Sequence, residues 1–156
     1  MSDGPGSVPR LVAWDRELIA VHKRLREALE VARDSLDGDG SSPRNDLLLY
    51  CKGFCVALSG HHVGEDGHLF PELRREHPEL SGTIDALEQD HAMIATLIVQ
   101  FERAIESDAS LPELERHLEG IGAIMESHFR FEEKRLLAPL ESFALDDEPA
   151  AVFGPL

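Results

Sequence analysis

Four long stretches of the chain place apolar residues at alternating steps of four and three, the stripe of an amphipathic helix packed against neighbours. The first runs from about Arg10 to Leu36, along Leu11, Asp15, Leu18, His22, Leu25, Leu29, Ala32 and Leu36. The second runs from about Arg44 to Asp66, along Leu47, Cys51, Phe54, Leu58, His61 and Glu65. The third runs from about Leu80 to Ser107, along Leu80, Ile84, Leu87, His91, Ile94, Ile98, Phe101 and Ile105. The fourth begins after Ser110, placed to cap it with Glu113 three residues on. It follows Leu114, Leu118, Ile121, Met125, His128, Glu132 and Arg135 to about Ala138, where Pro139 is expected to stop it.

Asp37 to Pro43 reads as a loop and Asp108 to Ser110 as a short turn. Gly67 to Glu79 is a longer connection in which Pro71 opens at most a short helical turn. No segment alternates with period two, so the expected fold is all-α. Four amphipathic helices predict an antiparallel up-down four-helix bundle over residues 10–140. Residues 1–9, rich in Gly, Pro and Ser, predict a disordered tail. Residues 141–156 have no strong period and predict a short irregular C-terminal arm, packing through Phe143, Leu145, Val152 and Phe153.

The stripes are interrupted in mid-helix by one kind of residue. Every polar position there is His or Glu: His22, His61, Glu65, His91, His128 and Glu132. A carboxylate on a buried face is costly unless it is paired, protonated or bound to a metal. The heights agree as well. His22 and His61 lie about 15 and about 17 residues from the first loop, and His91 and His128 each about 16 from the third, so at about 1.5 Å per residue antiparallel helices bring all four imidazoles to one level. Glu65 and Glu132 each follow a histidine by four positions, one turn along the same face. Four imidazoles and two carboxylates from four helices make a binuclear metal site; His22 and His61 on one ion with His91 and His128 on the other is one split, and diagonal pairings fit the heights as well. This donor set suits iron, and less selectively manganese, zinc or cobalt. Phe54, Leu58, Leu87, Ala95 and Met125 are expected to line it. His62 lies one position off the stripe and is a spare ligand at most; His68, His77 and His117 read as surface or outer residues.

Composition narrows the partners. Apolar residues make up 42% of the chain and charged residues 29%, an ordinary globular balance. A formal net charge of −15 argues against nucleic acid and against an anionic membrane as partners. No apolar run approaches the ~20 residues of a membrane span. The first residues lack a signal-peptide pattern, so a cytoplasmic location is expected. Cys51 and Cys55, spaced four apart, read as buried small residues rather than a disulfide or a CxxC pair.

With these residues in place the sequence resembles the hemerythrin-like (HHE cation-binding) family. The resemblance rests on His22, on His61-His62-Val63-Gly64-Glu65-Asp66 followed by His68-Leu69-Phe70-Pro71, on Asp90-His91, and on His128-Phe129-Arg130-Phe131-Glu132-Glu133. It implies a non-heme di-iron site, two iron ions with an oxo or hydroxo bridge, that meets O2, hydrogen peroxide or NO. Oxygen-carrying members have a second histidine on the third helix, where Leu87 and Ala95 flank His91 here, and an acid five positions after the last histidine, where this chain has Glu132 at four. Fewer protein ligands leave more open coordination positions. The expectation is therefore a peroxide-consuming oxidoreductase, catalase-like or using NO as co-substrate, similar to the small actinobacterial members. The alternatives are a sensor or store for O2, NO or iron without turnover, and a helical bundle without metal.

Overall fold

A computed structural model describes residues 12–37 and 44–154. The expected 1–9 tail, Arg10 and Leu11, and most of the first loop lie outside the described residues. The described chain is all-helical and contains no strand. Its elements are α1 (Trp14–Leu36), α2 (Arg44–Gly64), a π-helical turn (Glu65–Leu69), α3 (Phe70–Glu76), a 3-10 turn (Pro78–Leu80), α4 (Ser81–Glu106), α5 (Leu111–Glu141) and α6 (Pro149–Phe153). The long helices form a bundle: α1 lies against α2 and α5, α4 lies against α5, and α2 touches α4. Pairs between α1 and α5 run in opposite order along the two helices, His22 with Glu133 and Arg26 with Glu126.

The stripes became the core with local changes. On α1 it is Trp14 that is buried, while Asp15 stays partly exposed near the helix start, where an acid suits the dipole. On α2 Leu48 is buried and Leu47 is not fully so. Ser110 caps α5, its hydroxyl accepting from the Glu113 amide at 3.3 Å.

Three boundaries differ from expectation. α2 does not break at Gly67; it widens into the π-turn, where the Phe70 amide reaches the Glu65 carbonyl. The wider turn ends just before Pro71, which has no amide proton to give the Gly67 carbonyl. α5 does not stop at Ala138, because Pro139 sits inside its last turn. The proline φ is compatible with a helix, and the only bond lost is that to the carbonyl of Arg135, an exposed residue and not the core position expected of it. The arm is not wholly irregular: Pro149–Phe153 form a helical turn whose Val152 and Phe153 are buried.

Candidate metal centre

Among the described residues, seven polar or charged side chains are buried: His22, His61, His62, Glu65, His91, His128 and Glu132, none more than 5% exposed. α1 supplies His22, the end of α2 and its π-turn supply His61, His62 and Glu65, α4 supplies His91, and α5 supplies His128 and Glu132. Their ligand atoms gather into two groups, His22/His61/Glu65/Glu132 and His62/Glu65/His91/His128, with all donors of a group within 4.8 Å of one another. Donors around a first-row ion at ~2.0–2.2 Å stand at most about 4.4 Å apart. Both groups are thus within a few tenths of an ångström of a coordination shell.

Each carboxylate spans histidines of both groups. Glu65 Oε1 is 3.6 Å from His61 Nε2 and 3.2 Å from His91 Nε2. Glu132 Oε1 is 3.0 Å from His22 Nε2 and 3.9 Å from His128 Nε2. The 3.0 Å pair is close but not aligned as donor and acceptor. Nε2 of His22, His61 and His62, and all four oxygens of Glu65 and Glu132, find no hydrogen-bond partner among the described residues. Buried polar atoms are rarely left so, and a cation facing bare imidazole nitrogens and carboxylate oxygens satisfies all of them at once. The donor set therefore fits a metal.

The outward nitrogens are fixed. His22 Nδ1 meets Glu133 Oε2 at 2.6 Å, His91 Nδ1 meets Asp66 Oδ1 at 2.8 Å, and His128 Nδ1 meets Asp90 Oδ2 at 3.0 Å. His61 Nδ1 donates to the Phe153 carbonyl at 3.0 Å. An ionised carboxylate and a carbonyl only accept, so each of these rings carries a proton on Nδ1 and turns Nε2 inward, where those of His91 and His128 stand 3.0 Å apart. Aromatic faces hold the rings in place. His22 stacks on Phe129 with centroids 3.7 Å apart, and His62 stacks on His91 at 3.8 Å, with Phe70 also stacked against His91 at 5.5 Å.

The electrostatics show a cluster in conflict with itself. Burial pushes the Glu65 carboxyl well above the usual range, and the neighbouring Glu132 pushes it further. Burial also raises Glu132, but its contacts with Glu65 and His22 outweigh this and hold it well below that range. Burial drives His61 down to about 3, His62 well below its ordinary value, and His128 lower. For His22 burial acts downward, but Glu132 and Glu133 outweigh it and the net shift is upward. The fold thus keeps most of the imidazoles neutral, the form that binds metal.

His62, off the stripe and a spare ligand by sequence, is buried and stands inside the second donor group. Ala95 is exposed and cannot line the site, because the buried stripe of α4 steps from His91 to Ile94 and leaves Ala95 outside. Phe54, Leu58, Leu87 and Met125 are buried in the surrounding core. His68 is exposed and meets Asp147, and Tyr50 is exposed. Cys51 and Cys55 are free and buried, and burial pushes the Cys55 thiol up to about 12. Sequence reasoning did not find Asp66, Asp90 and Glu133. Each adjoins a donor in sequence, and that adjacency was the available signal.

A family model described as the Hemerythrin HHE cation binding domain matches residues 15–140. No curated protein and no solved structure matches the chain significantly.

Proposed function

The chain belongs to the hemerythrin HHE cation-binding family, and on that premise we propose that the buried cluster holds two iron ions with an oxo or hydroxo bridge and that the loaded protein consumes hydrogen peroxide. The observation that carries this reading is the pair of overlapping donor groups, His22/His61/Glu65/Glu132 and His62/Glu65/His91/His128, all buried. Bound there, iron supplies redox cycling and Lewis acidity toward peroxide, NO or O2.

The rest is the work of the chain. Glu65, common to both groups, would be a ligand shared by the two ions, and Glu132 reaches from one group toward the other. Asp66, Asp90 and Glu133 fix the imidazole tautomers and raise ligand basicity. Each group offers four donors, so an ion that takes six ligands would keep positions for a small molecule. The donors are so thoroughly buried that any substrate larger than a few atoms requires the packing to open. In a catalase-like cycle one peroxide is oxidised to O2 and a second is reduced to water, so no outside reductant is needed; with NO, NO is the reductant.

On this reading the long helices form an antiparallel up-down four-helix bundle over residues 10–140, with residues 141–156 as an appended arm. The opposed pairing of α1 with α5 supports it. The described helices include none long and apolar enough to cross a membrane. We place the protein in the cytoplasm, where its two unpaired thiols are at home.

The test is metal content per chain, an optical spectrum before and after peroxide, and O2 release measured with an electrode. Two irons and sustained O2 release, or peroxide loss that requires NO, are expected. A reversible spectral change without peroxide loss, with or without NO, replaces turnover by a binding module. No metal uptake replaces both by a structural bundle.

A further inference from the structure

The partners of the imidazole Nδ1 atoms follow a cycle around the bundle. Asp66, next to the donor Glu65, serves His91 of α4. Asp90, next to the donor His91, serves His128 of α5. Glu133, next to the donor Glu132, serves His22 of α1. In each step an acid adjoining a donor on one helix reaches the histidine of the neighbouring helix. The remaining step runs from α1 to His61 of α2. The neighbours of His22 are Val21, apolar and buried, and Lys23, exposed, and neither accepts a hydrogen bond. The cycle is broken at α1, and the Phe153 carbonyl takes the missing place at 3.0 Å.

We infer that the C-terminal arm is part of the metal centre, with the Phe153 carbonyl as the positioning group for His61. The inference rests on the metal reading above. It concerns a segment beyond residues 15–140, the extent of the family match.

The contact is built into the backbone. A Cβ on Gly64 would lie 2.5 Å from the Val152 carbonyl oxygen, so α2 accepts the arm only where it has no side chain. Gly154 has φ +89, and a Cβ there would lie 3.0 Å from the His61 amide nitrogen. The Phe153 ring packs edge-on against Trp14 at 5.8 Å and lies 5.7 Å from the His61 ring. Trp14 thus anchors the arm from α1, the helix that lacks an acid. The chemistry of the substitution matters. A carbonyl fixes the Nδ1–H tautomer as a carboxylate does but brings no negative charge, so of His22, His61, His91 and His128 it is His61 whose Nδ1 partner is neutral.

The test uses the full chain loaded with Co2+. Wild type is compared with Gly64→Ala, Phe153→Ala and Gly120→Ala; a Cβ at Gly120 meets nothing within 4 Å. Chelator competition gives stepwise affinities, and NMR of the Co2+ form gives the exchange of imidazole N–H protons. Wild type and Gly120→Ala are expected to bind two ions and to protect the His61 N–H. Gly64→Ala is expected to weaken one ion by roughly tenfold to a hundredfold, leave the other unchanged, and let the His61 N–H exchange rapidly. Should Gly64→Ala not fold, Phe153→Ala loosens the arm without crowding α2 and is expected to act in the same direction. Unchanged affinities with a protected His61 N–H in the folded variants overturn the inference. So does equal weakening of both ions, since His61 belongs to one group only. Wild type that binds no Co2+ overturns the metal reading itself.

Discussion

The two donor groups share Glu65 and differ in nearly everything else. The group reaching α1 has two imidazoles and two carboxylates, whereas the group reaching α4 has three imidazoles and one carboxylate. Around the first, charges are tied together: Arg26 pairs with Glu126 at 2.8 Å, touches Glu133 at 3.4 Å, and lies over the Phe129 ring against which His22 stacks. Around the second, His62, His91 and Phe70 form a stack of flat rings. Equal burial therefore does not make equal sites. The first has one more carboxylate among its donors, with the Arg26 cation beside it, whereas the imidazoles of the second lean on two outer carboxylates, Asp66 and Asp90.

Glu65 is the hinge of this comparison, and changing it has the largest expected effect. Glu65→Gln keeps the shape and removes the charge that both groups use. Metal retained after dialysis is expected to fall from two per chain to less than one, with a loss of affinity beyond about a hundredfold. Elemental analysis, with circular dichroism to confirm the fold, reads it. Two retained ions would end the idea of a shared ligand.

A smaller effect, confined to one side, is expected from His62→Leu. It removes one of three imidazoles from the group reaching α4 and nothing from the other. Stepwise chelator titration should show one ion weakened by at least about tenfold and the other unchanged. If both weaken alike, the two groups are not separate sites. If neither does, His62 is a packing residue stacked on His91.

His62 also shows why part of the site was hidden in the sequence. Stripe spacing finds residues that face the middle of the bundle, and His22, His61, Glu65, His91, His128 and Glu132 all do. At the end of α2 the buried arc is wider: the arm packs over the flank of Gly60 and Gly64, and on the other flank the His91 and His128 rings cover His62. Ala57, Leu58, His61, His62, Gly64 and Glu65 are all buried. The arm has no periodic signal, so the width of that arc could not be read from α2 itself. The outer acids were hidden for a related reason. A residue adjoining a ligand points about 100° away around the helix, and whether it meets solvent or the next helix depends on how the helices are arranged. Ala95 erred the other way: one turn from His91 in sequence, it lies just outside the arc that α4 buries.

The mildest probe of the comparison is the pH dependence of the metal-free chain. His61 is held down at about 3, and His62 and His128 are also lowered, in each case chiefly by burial. Their unfolded forms take up protons near 6.5 while the folded forms do not. Their contribution to stability is therefore full above about pH 6.5 and is lost as pH falls toward 3. His22 behaves oppositely. Burial acts to lower it, but Glu132 and Glu133 leave it raised, so its contribution is present below pH 6.5 and lost as pH rises through its folded value. Urea unfolding across this range should show an acid limb that flattens in His62→Leu by up to ~1.4 kcal/mol per pH unit, the slope of one proton. His22→Gln should leave that limb as it is and remove only the decline above pH 6.5. If the two variants change the same limb, the imidazoles titrate as one coupled cluster, and the contrast between the groups exists only when metal is bound.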